Sequence, residues 1–226
     1  RLVHTLQFAN LLDKAKTRPM DDKKLEDLIR TLSQIVPEES KLFFSDRRPP
    51  SAYALMLFRS MGIEFSRLHP LFCARTSWSH RMELARTLIR LVRGRGLLPN
   101  LAPAFPQAKF SDLEGPLGAL DLAIDFPLTR HIEASSASYI YAIADRRGWS
   151  VVDSIRGLVA TFPIGLWMLR WVSRGRQPTV EDMLQIVVAL DRGQGYAPLT
   201  GQLQRGRLKM LSGNGELERL IVWYTR

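Results

Sequence analysis

Three arginines on one helical face come closest to a chemical site in this 226-residue sequence. Arg86, Arg90 and Arg93 recur at i, i+4 and i+7, and Arg95 lies just beyond. Guanidinium groups aligned in this way can hold phosphates or the carboxylates of a partner, because each presents a planar fork of donors. A solvated helix face has the same pattern. A second candidate is DRGQGYA, residues 191–197, which has the form of an Asp-x-Gly-x-Gly-x-small cofactor loop. Such a loop must follow a strand, whereas the preceding residues carry a helix cap and helical periodicity. Pro198 also stands where a dinucleotide fingerprint needs a further glycine, and the remaining chain is too short for an alternating sheet. The spacing therefore predicts a helix end here, with Gly193 at or near the first residue past it.

Other chemistry finds little to work with. His4, His69, His80 and His131 are scattered, without HxxxH or HExxH spacing. His80 and Glu83 share a helix face, but two ligands do not make a metal site. Cys73, within LFCAR, is the only cysteine. It excludes an internal disulfide, a multi-cysteine zinc site and an Fe–S cluster within the chain, and reads as a buried thiol. No cofactor or metal ligand and no catalytic residue is assigned. A lone cysteine also fits a reducing compartment, so a cytoplasmic location is expected.

Charge is lopsided. The formal net charge is +10, of which residues 1–110 carry +9, with 19 Lys+Arg against 10 Asp+Glu. An acidic protein or a nucleic acid is the partner this half would attract, and the sequence does not identify a small-molecule ligand. Arg outnumbers Lys 25 to 7, a bias that genome composition produces equally well. The apolar share of 46% and charged share of 24% are those of a globular protein.

The elements that would position these residues read as helices throughout. The most apolar run is Ser150–Arg174, with thirteen uncharged residues between Arg156 and Arg170. It is flanked too closely by arginine for a membrane span, and no transmembrane segment is predicted. Ser150 is its expected N-cap, Asp153 occupies the first turn, Gly175 follows the last turn, and Pro163 should kink it. The predicted fold is all-α, an irregular multi-helix bundle around this buried, Pro-kinked central helix. Upstream, residues 1–16 form a helix with Leu2, Leu6, Ala9 and Leu12 inward. The next carries Leu25, Leu28, Ile29, Leu32, Ile35 and Val36 on one stripe and should end at Pro37. A third stops near Gly62, and a fourth, from Ser79, turns Met82, Ala85, Leu88, Ile89 and Val92 inward. Residues 94–111 hold Pro99, Pro103 and Pro106 without periodicity and read as a linker between a basic subdomain at 1–93 and a second helical subdomain at 112–226. In the latter, Leu128, Ile132, Ser136, Tyr139, Ile140 and Ile143 make one stripe. Thr179 and Asp182 form a capping-box-like start, and Asn214 opens a last helix with Leu217, Leu220, Ile221 and Tyr224 inward.

Four stretches carry a family resemblance: SHRMELARTLIRLVRGRGLLPNLAPAFP, GLVATFPIGLWMLRWVSRG, TVEDMLQIVVALDRGQGYAPLTG and ELERLIVWY. Their order and apolar-aromatic texture resemble the C-terminal helical part of bacterial cysteine-cluster proteins related to flagellin lysine N-methylase, over about two thirds of the chain. The resemblance implies a parent with a metal or Fe–S cluster and S-adenosylmethionine chemistry, acting on protein lysines. With Cys73 alone this chain lacks that cluster, so the resemblance implies a structural or substrate-holding region, inactive by itself. An opening on Arg1 rather than Met agrees with a piece of a longer protein.

Overall fold

The computed structural model describes residues 2–15, 21–45, 48–66, 82, 86, 89–90, 93–98, 100, 104–114, 117–118, 120–138, 150–195 and 202–225. Among these, nine helices and one short ribbon form: α1 (Leu2–Ala15), α2 (Asp22–Ser45), α3 (Ala52–Ser66), β1 (Leu97–Leu98), β2 (Ala108–Lys109), α4 (Phe110–Glu114), α5 (Leu122–Ala137), α6 (Val151–Ser173), α7 (Val180–Gly195), α8 (Gln202–Gly213) and α9 (Glu216–Tyr224). The architecture is an all-α bundle around a buried central helix.

That helix is α6. The Ser150 hydroxyl accepts from the Asp153 backbone N–H at 3.0 Å, satisfying a donor that the first turn leaves open. Leu158–Leu169 is apolar nearly all round, and a helix of that kind is stable only when covered on every side. Helices α1, α3, α4, α5, α7, α8 and α9 all pack on it. Trp167 and Trp171 are fully buried and meet edge to face at 5.6 Å, with Phe105 edge-on to Trp171 at 5.3 Å. By length and composition α6 could cross a membrane, but 72% of its most apolar window is buried inside the chain. Pro163 lies within it and leaves the Val159 carbonyl without its usual backbone donor.

Five boundaries or faces differ from the sequence reading. Helix α2 runs through Pro37 to Ser45. The bond lost belongs to the carbonyl of Ser33, an exposed residue, where water can replace the missing N–H. Helix α3 passes through Gly62 rather than stopping there, because the glycine is a contact site: a Cβ would sit 2.7 Å from the Trp167 ring. Helix α7 continues through Gly193 to Gly195, and α9 takes Gly215, at φ 67°, as its N-cap in place of Asn214. The Thr179–Asp182 capping box forms as expected, with reciprocal bonds of 2.8 and 3.3 Å. In the fourth predicted helix, Met82 and Ile89 are not inward but 46% and 55% exposed. Ala85, Leu88, Val92, Cys73, His69, His80 and residues 139–149 lie outside the described residues.

Residues 94–111 supply part of the core. Leu98, Phe105, Ala108 and Phe110 are buried, and they belong to one apolar cluster with residues from Val3 to Tyr224. Leu97 pairs with Lys109 and Leu98 with Ala108, antiparallel. The Trp171 indole N–H donates to the Pro106 carbonyl at 2.6 Å and ties the segment to α6.

Candidate partner-binding surface

The predicted arginine face is built on the segment leading into the ribbon. Met82, Arg86, Ile89, Arg90 and Arg93 are all helical, and Gly94 and Gly96 then turn the chain with φ of 60° and 99°. At Gly94 the ideal Cβ position lies 2.5 Å from the Arg59 guanidinium, so a side chain there would displace that group, and the positive φ itself favours glycine. Beneath that turn lies a polar cluster. Arg59 Nε donates to Glu114 Oε1 at 2.8 Å, and the Tyr224 hydroxyl donates to Glu114 Oε2 at 2.8 Å. Burial, reinforced by the Glu114 carboxylate, pushes the Tyr224 phenol well above its ordinary pKa, so it stays protonated and remains a donor. The turn that follows Arg93 thus lies on this hydrogen-bonded cluster.

The structure separates the four arginines that the sequence groups together. Arg90 is half-buried and donates from Nη1 to the Leu97 carbonyl at 2.8 Å, so it fastens the ribbon to the helix. Arg86, Arg93 and Arg95 are exposed. Met82 and Ile89, likewise helical and exposed, fall at i and i+7 to Arg86 and Arg93 at i+4 and i+11, the spacing of one helical face. The open stripe is therefore Met82–Arg86–Ile89–Arg93, a mixture of guanidinium and apolar side chains. Sequence reasoning missed this because the apolar residues at 82 and 89 were assigned to the core.

No family model, curated protein or solved structure matches this chain.

Several interior charged groups serve as ties between helices. Asp153, 1% exposed, accepts from Arg156 Nη1 at 3.2 Å and from Arg205 Nε at 2.8 Å. Arg156 also reaches Asn10 at 2.9 Å and Asp13 at 3.0 Å, joining α1, α6 and α8. Burial alone would raise the Asp153 carboxyl, but the Ser150 bond together with Lys209 and Arg205 holds it below its ordinary value. Glu218, 3% exposed, accepts from Asn10 Nδ2 at 3.1 Å, while its Oε2 has no partner among the described residues. Burial raises its pKa, against Asn10, Arg156 and Lys14. Among the described residues no three of His, Cys, Asp and Glu converge where a metal could sit. The DRGQGYA stretch is helical through Gly195, without the strand that a cofactor loop requires.

Proposed function

We propose that this chain is a helical holding module that binds an acidic protein segment along the Met82–Arg86–Ile89–Arg93 stripe and Arg95. The observation that carries the reading is the composition of that exposed stripe. Arginine and methionine are the residues enriched in protein interfaces, and an apolar side chain between guanidiniums gives a desolvated contact that a phosphate backbone does not use. For that reason a protein partner is favoured over nucleic acid. The +9 charge of residues 1–110 would steer an acidic segment toward it. In a cysteine-cluster, lysine N-methylase-like parent, the same surface would hold the substrate protein, and the metal and S-adenosylmethionine chemistry would lie outside these residues. Turnover of S-adenosylmethionine by this chain alone would refute that placement.

The test is fluorescence anisotropy with a labelled acidic peptide containing leucines, and with duplex DNA of equal charge, at several salt concentrations. The peptide should bind more tightly than DNA and weaken as salt rises. Exposed ion pairs contribute about 0.2–1 kcal/mol each, so Arg86/Arg93/Arg95→Ala should weaken peptide binding roughly tenfold. Met82/Ile89→Ser should weaken the peptide but not DNA. Arg90→Ala should lower stability instead of affinity, since its guanidinium is spent on Leu97. Equal binding by the triple variant removes the proposal.

A further inference from the structure

The central helix ends on Arg174, whose φ of 48° and ψ of 45° are left-handed. Glycine adopts that conformation freely and arginine does not. Gly175 follows at φ 77°, one position after the point where it would relieve the turn. The Arg174 guanidinium has no hydrogen bond or ion pair among the described residues, and the side chain is exposed. The left-handed turn ends the helix, with the Arg174 N–H closing on the Arg170 carbonyl at 3.0 Å, and leaves the guanidinium without an internal polar partner among the described residues.

Arg174 lines a cleft of about 510 Å³ between the end of α6, the start of α7 and the segment around Pro106. It is a shallow cleft, largely open to solvent. Arg176 and Asp182 also line the cleft, locked to each other by paired bonds of 2.6 and 2.7 Å. Asp182 Oδ2 further accepts from the Thr179 N–H and hydroxyl, each at 2.8 Å, so this carboxylate is fully engaged. The pair neutralises itself and leaves Arg174 as the uncompensated charge of the lining. Gln185 adds an amide that can donate, and Val172 and Pro106 supply an apolar wall.

We infer that this cleft binds a carboxylate on a short aliphatic stem, with the oxyanion on the Arg174 guanidinium and the Gln185 amide and the stem on Val172 and Pro106. One net positive charge matches a monoanion, whereas a phosphate dianion would keep a second charge uncompensated. A free carboxylic acid and the carboxylate end of a peptide chain offer the same chemistry. The site lies apart from the arginine stripe and stands or falls independently of it.

Amide chemical shifts of the full chain, titrated with hexanoate, test this inference. Saturable shifts at residues 172–176 and 185 are expected, with a Kd of about 1 mM, while uncharged hexanol should bind at least about tenfold more weakly. A short apolar peptide with a free C-terminus, compared with its amidated form, identifies the source. Free-terminus binding tighter than hexanoate assigns a chain end, and equal or weaker binding assigns a free acid. Arg174→Gly separates binding from folding: it should raise the melting temperature by relieving the left-handed turn and weaken hexanoate about tenfold. No saturable shift with hexanoate or with the free-terminus peptide would overturn the inference. So would unchanged hexanoate affinity in Arg174→Gly. A lower melting temperature in that variant would also overturn it, by showing that the side chain is held within the fold.

Discussion

Replacing Gly62 by alanine should destabilise the protein, although alanine is the better helix former. Helix propensity alone favours alanine over glycine inside a helix by about 1 kcal/mol. At Gly62 the added Cβ would stand 2.7 Å from both Cε3 and Cζ3 of Trp167, where ordinary contacts are 3.4–4 Å. The ring must therefore retreat by roughly 1 Å in a close-packed interior. It has little room to do so: Trp167 is fully buried, edge-on to Phe58 at 6.3 Å and to Trp171 at 5.6 Å, with its indole nitrogen 3.4 Å from Glu114. Overpacking of this kind costs about 1–3 kcal/mol. Against a shape as rigid as an indole the upper end applies, and the net loss is about 2 kcal/mol, or roughly 4–8 °C in melting temperature for a chain of this size. Gly206 is the internal control. It lies inside α8 with nothing within 4 Å of the place an added methyl would take, so Gly206→Ala should stabilise by about 0.5–1 kcal/mol. Urea unfolding followed by tryptophan emission reads both, with unchanged m values expected. If Gly62→Ala proves as stable as the parent, the contact with Trp167 does not determine the residue and the reasoning fails.

Two further predictions concern the buried carboxylates. Asp153→Asn removes the charge facing Arg156 and Arg205 and should cost about 3 kcal/mol at neutral pH. Because the folded Asp153 pKa lies below its ordinary 3.8, its contribution is present above that value and is lost as pH falls through the folded pKa. Denaturation curves of parent and variant should therefore converge in strong acid, and a constant gap across pH would contradict the assignment. Glu218 has the opposite sign. Its folded pKa lies above the ordinary 4.5, so ionisation works against folding as pH rises through the folded value. Glu218→Gln should melt higher than the parent at pH 7, with the advantage shrinking toward pH 4.5. A variant that melts lower at neutral pH would show that the carboxylate is needed in its charged form.

Much of the fold was legible because the strongest signals are local. The cap at Ser150, the capping box at Thr179 and Asp182, and the inward set Leu217, Leu220, Ile221 and Tyr224 all follow from spacing within one helix. What was not legible depends on distant partners. Gly62 looks like a stop until Trp167, on another helix, needs its space. Residues 94–111 look like a linker because a two-residue ribbon and isolated buried aromatics have no period to detect. The arginine face was half legible: spacing places Arg86, Arg90 and Arg93 together, but only the Leu97 carbonyl reveals that Arg90 is engaged. Met82 and Ile89 were misassigned because periodicity identifies an apolar stripe without saying what covers it.

The cover of α6 has a consequence for synthesis. Helices α7, α8 and α9, which pack on it, come later in the chain, and Tyr224 of α9 stacks on Phe58 of α3 at 4.7 Å. Until those three helices are made, α6, by length and composition apolar enough to cross a bilayer, lacks their shelter. The stack of Tyr224 on Phe58 closes only once α9 has been made. Apolar surface of that kind is aggregation-prone until it is covered.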